Sequence, residues 1–66
     1  MDESIGKRIR DRRKELRMKQ ETLSEKSNVS RATISALENG KCDNVLVGTI
    51  AAIAEALDTN VEFFLS

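Results

Sequence analysis

The chain has no histidine, and its single cysteine is Cys42. The absence of histidine removes the usual general base and the usual metal ligand. A lone cysteine allows neither an intrachain disulfide nor a cysteine-based metal site, and we interpret Cys42 as an inert small residue. We therefore expect a protein that is not an enzyme and that needs no metal, no cofactor and no small-molecule ligand.

Long hydrophobic runs are also missing. No apolar stretch approaches the ~20 residues that span a bilayer, and the sequence shows no secretory signal pattern, low-complexity segment or repeat. We expect a soluble, cytoplasmic protein with no membrane partner. The 66 residues make one domain, 1–66, whose single core contributes only about 3–5 kcal/mol of stability. A partner chain would add to that, which favours a dimer.

The charges balance overall but are divided unevenly along the chain. All 11 basic residues lie in residues 1–41, against seven acidic ones there, which leaves that part at +4. Residues 42–66 hold four acidic residues and no basic one, which leaves them at −4. Binding to phosphates depends on the local field rather than on the total charge. The division favours nucleic-acid binding by the amino-terminal part, although uneven charge also arises by chance in small helical proteins.

Residues 20–40 have the pattern of two short helices joined by a tight turn, a helix-turn-helix over about 20–39. The apolar positions share one core only if the chain bends sharply near Asn28, a residue type that tolerates the left-handed conformation. These apolar positions are Leu23, Val29, Ile34 and Leu37. Ser30 can cap the second helix, which we place from about Arg31 to Glu38, and Gly40 closes it.

The outer face of this second helix carries small or hydrogen-bonding side chains. With Ile34 and Leu37 turned inward, the 3.6-residue period places four residues on the outer side and Thr33 on a flank. The four are Arg31, Ala32, Ser35 and Ala36. An α-helix fits the major groove of B-form DNA, so this face suits the reading of base edges.

At these residues the chain resembles the phage Cro and repressor group of helix-turn-helix proteins, also called the xenobiotic-response-element-like family. The resemblance runs from about Ile5 to Leu65. It is carried by Ile5–Arg10, Gln20–Leu23, Val29–Gly40, Ile53–Leu57 and Val61–Leu65. It implies an all-α, compact five-helix repressor-like DNA-binding domain with the helix-turn-helix at helices 2 and 3. The implied function is a transcriptional regulator, most often a repressor, that binds double-stranded operator DNA of palindromic sequence as a homodimer.

The resemblance also implies roles for individual residues. Gln20 matches a residue that hydrogen-bonds a phosphate. The other implied phosphate-binding residues are Lys19, Thr33, Asn39, Lys41, Arg10 and Arg13. The implied base-reading residues are Arg31, Ala32, Ser35 and Ala36. Arg31 can donate two hydrogen bonds to guanine, but if it binds a phosphate instead, sequence reading rests on the small residues and on DNA shape.

The family further implies an ion pair between Arg13 and Glu38, which links the first helix to the end of the recognition helix. We place the start of the first helix after Ser4, with Ile5, Ile9 and Leu16 turned inward. We interpret most of its other basic residues as a solvated face. Among the departures from the family, Arg12 replaces a leucine, which thins that edge of the core, and Arg17 replaces a glycine.

The carboxyl end supplies the expected dimer interface. One phenylalanine can complete the core while the other faces a partner, although both can also enter the core of so small a domain. The interface residues we predict are Val45, Leu46, Val47, Phe63 and Phe64. A heterologous partner would fit the same surface. The alternatives to a repressor are therefore an antitoxin-like or anti-repressor-like interaction module, and an activator in which Glu21, Glu25 or Glu38 touches polymerase.

Overall fold

The computed structural model describes residues 2–41 and 46–65, with side chains described for 5–41 and 46–64. Five helices, and no strand, make up this part of the chain. They are α1 (Asp2–Glu15), α2 (Gln20–Ser27), α3 (Arg31–Glu38), α4 (Val47–Ala56) and α5 (Val61–Leu65). The predicted all-α, five-helix fold is confirmed. None of these helices is long and apolar enough to cross a membrane.

Helix α1 begins earlier than predicted. It starts at Asp2, so the prediction that it begins after Ser4 was wrong. Acidic residue types stabilise the first turn of a helix through its dipole, and positions 2 and 3 are Asp and Glu. This explains why the helix extends past the serine.

The turn between α2 and α3 follows the predicted chemistry. Asn28 adopts the left-handed backbone conformation, with φ 61°, and its N–H donates to the Ser24 carbonyl. The Ser24 hydroxyl donates to the Val29 carbonyl at 2.7 Å. The Ser30 hydroxyl oxygen accepts the Thr33 N–H at 3.2 Å and so caps α3. Because local hydrogen bonds satisfy both sides of the turn, the turn itself restricts the angle between α2 and α3.

Three other helices end with a left-handed residue one position beyond the cap. These residues are Arg17 (φ 54°), Gly40 (φ 69°) and Asp58 (φ 61°). After α3, for example, the Gly40 N–H donates to Leu37 and the Lys41 N–H donates to Ala36, as in a Schellman motif. Arg17 thus holds the conformation that glycine adopts at lower cost.

The core is built from all five helices. Its buried residues are Ile9, Leu23, Ile34, Leu37, Ile50, Ile53, Ala54, Leu57 and Phe64. Leu16 was expected inside, but it is 39% exposed, because α1 ends at Glu15 and Leu16 lies in the following turn. The placement of Phe64 at the dimer interface was also wrong, since it is only 2% exposed within the single chain. Phe63 is 44% exposed and meets the Phe64 ring edge to face.

The basic face of α1 is not simply solvated, contrary to the prediction. Arg8 donates to the Phe63 carbonyl of α5 at 2.9 Å. Arg12 donates to the Leu57 carbonyl at the end of α4 at 3.0 Å. Carbonyls near a helix carboxyl end lack partners within their own helix. The arginines of α1 therefore tie it to the ends of helices far along the chain, and Arg12 joins α1 to α4 where a leucine would have packed.

Gly6 permits the close approach of α1 to α3. A Cβ atom at this position would lie 2.9 Å from the carbonyl carbon of Leu37, closer still to its oxygen, and 3.2 Å from the Cα of Glu38. These are backbone atoms, which cannot rotate out of the way. Any side chain at position 6 must therefore push α1 away from the carboxyl end of α3.

We expect Gly6→Ala to lower the free energy of unfolding by about 1–3 kcal/mol, the usual cost of overpacking. Urea unfolding followed by circular dichroism measures this. Gly48→Ala is the matched control, because Gly48 lies in α4 and a Cβ atom added there would meet no described atom of another element within 4 Å. The control should be neutral or stabilise by up to about 1 kcal/mol. Equal stability of Gly6→Ala and the parent protein would contradict the close packing.

Candidate nucleic-acid interface

The outer face of α3 is open. Arg31 and Ala32, in its first turn, are exposed, and Ser35 and Ala36, one turn later, are half-buried. No large apolar side chain interrupts this face, because Ile34 and Leu37 are in the core. The four residues predicted to read bases therefore lie together along one side of α3.

Both ends of α3 carry polar groups. At its start, the Ser30 hydroxyl donates to Thr33 Oγ1 at 2.9 Å, and Thr33 is half-buried on the flank. At its end, Asn39 and Lys41 are exposed, and the Asn39 amide donates to Ser35 Oγ at 3.4 Å. These three predicted phosphate-binding residues thus border the open face rather than interrupt it.

The amino ends of α2 and α3 border one open surface depression of about 250 Å³. We call it the α2–α3 depression. Its lining residues are Arg13, Lys19, Gln20, Glu21 and Arg31. Helix amino ends present free N–H groups and a positive dipole, and Lys19 and Arg31 add full charges. The depression is therefore suited to an anion such as a phosphate group.

A buried ion pair holds Arg13, one of the residues that line this depression. Arg13 Nε donates to Glu38 Oε2 at 2.7 Å, and Arg13 Nη2 donates to Glu38 Oε1 at 2.9 Å. The two side chains are only 12% and 3% exposed. The hydrogen bonds to Glu38 raise the pKa of Arg13 above its ordinary value, although burial acts in the opposite direction. The bidentate geometry is the strong form of this contact.

Gln20 joins the same network. Its side-chain amide nitrogen donates to Glu38 Oε1 at 3.1 Å. An amide nitrogen carries two hydrogens, so one remains for an anion in the depression. The buried carboxylate of α3 therefore holds the first side chain of α2 in place.

Arg10 and Arg13 both donate hydrogen bonds within the protein. The remaining donor group of Arg13, Nη1, donates to the Met18 carbonyl at 2.8 Å. Arg10 Nη2 donates to the Glu38 carbonyl at 3.2 Å, and its Nε is buried without a hydrogen-bond partner in the described part of the chain. Both arginines were predicted to bind phosphate, and in the structure their hydrogen bonds join α1 to the end of α3.

Two features of this site were not predicted from the sequence. They are the position of Glu21 in the depression and the hydrogen bond from Gln20 to Glu38. The signal available was weak, because both depend on the angle between α2 and α3 rather than on any spacing along one helix.

The predicted dimer surface is partly visible. Leu46 and Val47 are 69% and 68% exposed at the start of α4, and Phe63 is 44% exposed on α5. Val45 and Cys42 lie outside the described residues. Large apolar side chains this exposed are candidates for burial against a partner.

The chain is similar to known helix-turn-helix proteins. A helix-turn-helix family model matches residues 9–64. The restriction-modification controller protein C.AhdI from Aeromonas hydrophila has a TM-score of 0.90 and 30% identity, over 96% of this chain and 94% of that one. The DNA-binding domain of the P22 C2 repressor has a TM-score of 0.83 and 31% identity, over 92% of this chain and 79% of that one. Comparison with curated proteins finds no match.

We expect Arg13→Met to lower the free energy of unfolding by about 3 kcal/mol, because it leaves the Glu38 carboxylate buried without its cation. The double variant Arg13→Met, Glu38→Leu should recover much of this loss, since it removes both charges. Urea unfolding at neutral pH measures both values.

Asp11→Asn is the control for that experiment. It removes an ion pair with Lys7 whose side chains are 71% and 59% exposed, so it should change stability by less than about 1 kcal/mol. If Arg13→Met cost no more than Asp11→Asn, the buried pair would not have the structural role described.

Proposed function

Because the chain belongs to the Cro/C1-type helix-turn-helix family of DNA-binding regulators, we propose that it represses transcription by binding a palindromic operator as a homodimer. Folds of this family are generally non-enzymatic. Similarity to the P22 C2 repressor supports the repressor role. Occupation of a promoter by the protein then suffices to block transcription.

The main support for the proposal is that the open face of α3 adjoins the α2–α3 depression, because Arg31 belongs to both. A phosphate held at the depression would contact Lys19 and the free N–H of Gln20, next to the positive end of α2. Such contacts fix the register of a helix on DNA without reading sequence. Thr33, Asn39 and Lys41 would hold further phosphates at the two ends of α3.

Base reading follows from the exposed residues of α3. Arg31 is the side chain there with a fork of donors that matches guanine O6 and N7. Ala32 and Ala36 can contact thymine methyl groups, and Ser35 can hydrogen-bond several base edges. Arg10 and Arg13 contribute by holding α3 against α1 rather than by binding DNA directly.

A second copy is needed to cover a two-part operator. The longest dimension of the chain is 25 Å, whereas half-sites of helix-turn-helix dimers lie about 34 Å apart, one turn of DNA. One copy therefore covers one half-site. The exposed apolar side chains of Leu46, Val47 and Phe63 are the surface we assign to contact between the copies.

The first test is selection of bound sequences from a random DNA pool at near-physiological salt, followed by titration of variants. We expect an inverted repeat. Arg31→Ala should relax discrimination at one base pair per half-site by about 1–3 kcal/mol, whereas Gln20→Ala should weaken binding to all sequences similarly. Uniform losses for both variants would defeat the assignment of Arg31 to a base, and no enriched sequence would contradict operator binding itself.

The second test concerns the dimer. Phe63→Ser should raise the dimer dissociation constant at least about tenfold, because interface aromatics contribute strongly, while the fold survives since Phe64 remains in the core. Leu16→Ser is the control, because Leu16 is similarly exposed at 39% but lies outside the proposed interface. Sedimentation equilibrium measures both. A Phe63→Ser dimer as strong as that of the parent protein would place the interface elsewhere.

A further inference from the structure

One acidic side chain lies among the cations of the α2–α3 depression. Glu21 is the second residue of α2, is exposed, and lines the depression together with Lys19 and Arg31. Among the described side chains, its carboxylate makes no ion pair within 4.0 Å, whereas Asp11, Glu15 and Glu38 are all paired on α1 or α3. The Glu21 charge can therefore interact with a cation that borders the depression.

Arg31 has two competing acceptors in the proposed complex. It borders the depression, where Lys19 and Gln20 would hold a phosphate, and it also begins the α3 face that would meet base edges. Arginine binds phosphate as readily as it binds guanine, with the same planar fork. Binding to the phosphate would add affinity but would convey no sequence information.

We propose that Glu21 determines specificity by directing Arg31 to a base and away from the phosphate. This rests on the proposed DNA-binding function. A guanidinium has five N–H donors, so one edge can bind the carboxylate while the other binds guanine O6 and N7. The negative charge of Glu21 also repels a phosphate that would approach Arg31. Glu21 is thus a positioning residue that acts through Arg31.

The other cations of the depression do not take the place of Arg31. Arg13 is held by Glu38 and by the Met18 carbonyl. Lys19 is close to Glu21 in sequence, but an ammonium group is a point charge without a second planar edge for a base. Arg31 is therefore the cation whose orientation the Glu21 carboxylate can set.

The test uses Glu21→Gln, which keeps the size of the side chain and removes its charge. On the selected operator, we expect discrimination at the base pair read by Arg31 to fall about three- to fivefold, the effect of a moderate surface ion pair. Affinity for scrambled DNA should rise. The plot of log K against log salt should steepen by about 0.9 per protomer, because Arg31 now neutralises a phosphate.

Two comparisons separate this role from a general effect of charge. Glu25→Gln removes an exposed carboxylate from the same helix, at a residue that does not line the depression. It should leave base discrimination unchanged. In an Arg31→Ala background, Glu21→Gln should alter neither discrimination nor the salt slope. All variants should remain folded, with only a small loss of stability from removing the negative charge near the start of α2.

Two results would overturn the inference while the proposed function stands. One is an operator-selective parent protein whose Glu21→Gln variant behaves like Glu25→Gln. The other is a loss of discrimination by Glu21→Gln that persists in the Arg31→Ala background. A parent protein that selects no sequence at all would refute the proposed function first, and the inference with it.

Discussion

The bidentate pair between Arg13 and Glu38 is the contact on which the arrangement of α1, α2 and α3 depends. Glu38 ends α3, where the helix dipole disfavours a negative charge, and its side chain is only 3% exposed. A carboxylate in that position is stable only if it is paired and hydrogen-bonded. Arg13 and Gln20 supply those bonds from two other parts of the chain. The end of α3 is therefore fixed to α1 and to the start of α2, which sets the shape of the α2–α3 depression.

The use of arginines inside the protein also bears on the net charge, which is zero although the chain belongs to a DNA-binding family. Most of the arginines of α1 bind carbonyls or carboxylates inside the protein, so they stabilise the fold rather than the complex. The cations beside the proposed DNA-binding face are few: Lys19 at the start of α2, and Arg31 and Lys41 at the two ends of α3. The binding of DNA, an anionic polymer, depends on these local charges and not on the net charge of the protein. Because so few cations are available, the direction in which each one points has a large effect on what is bound and how selectively.

Local signals predicted most of the fold. The bounds of α3, its Ser30 cap and the left-handed Asn28 were all confirmed, because each depends on residues within one or two turns of one another. Contacts between distant residues were harder to predict. Arg8 meets a carbonyl 55 positions away, and nothing in a helical period signals such a bond. Phe63 and Phe64 show the same limit, since periodicity states that they point in different directions but not which one enters the core. The roles of the base-reading and phosphate-binding residues remain predictions, because they depend on a partner outside the chain.

The most direct test of the central claim is to follow the backbone amide resonances of the 66-residue protein while the selected operator is added. We expect the largest shifts at residues 19–21, 31–36 and 39–41, with little change at the end of α4. Shifts concentrated on α4 and α5, with the start of α2 and the face of α3 unaffected, would show that the protein binds DNA through another surface and would contradict the proposed interface.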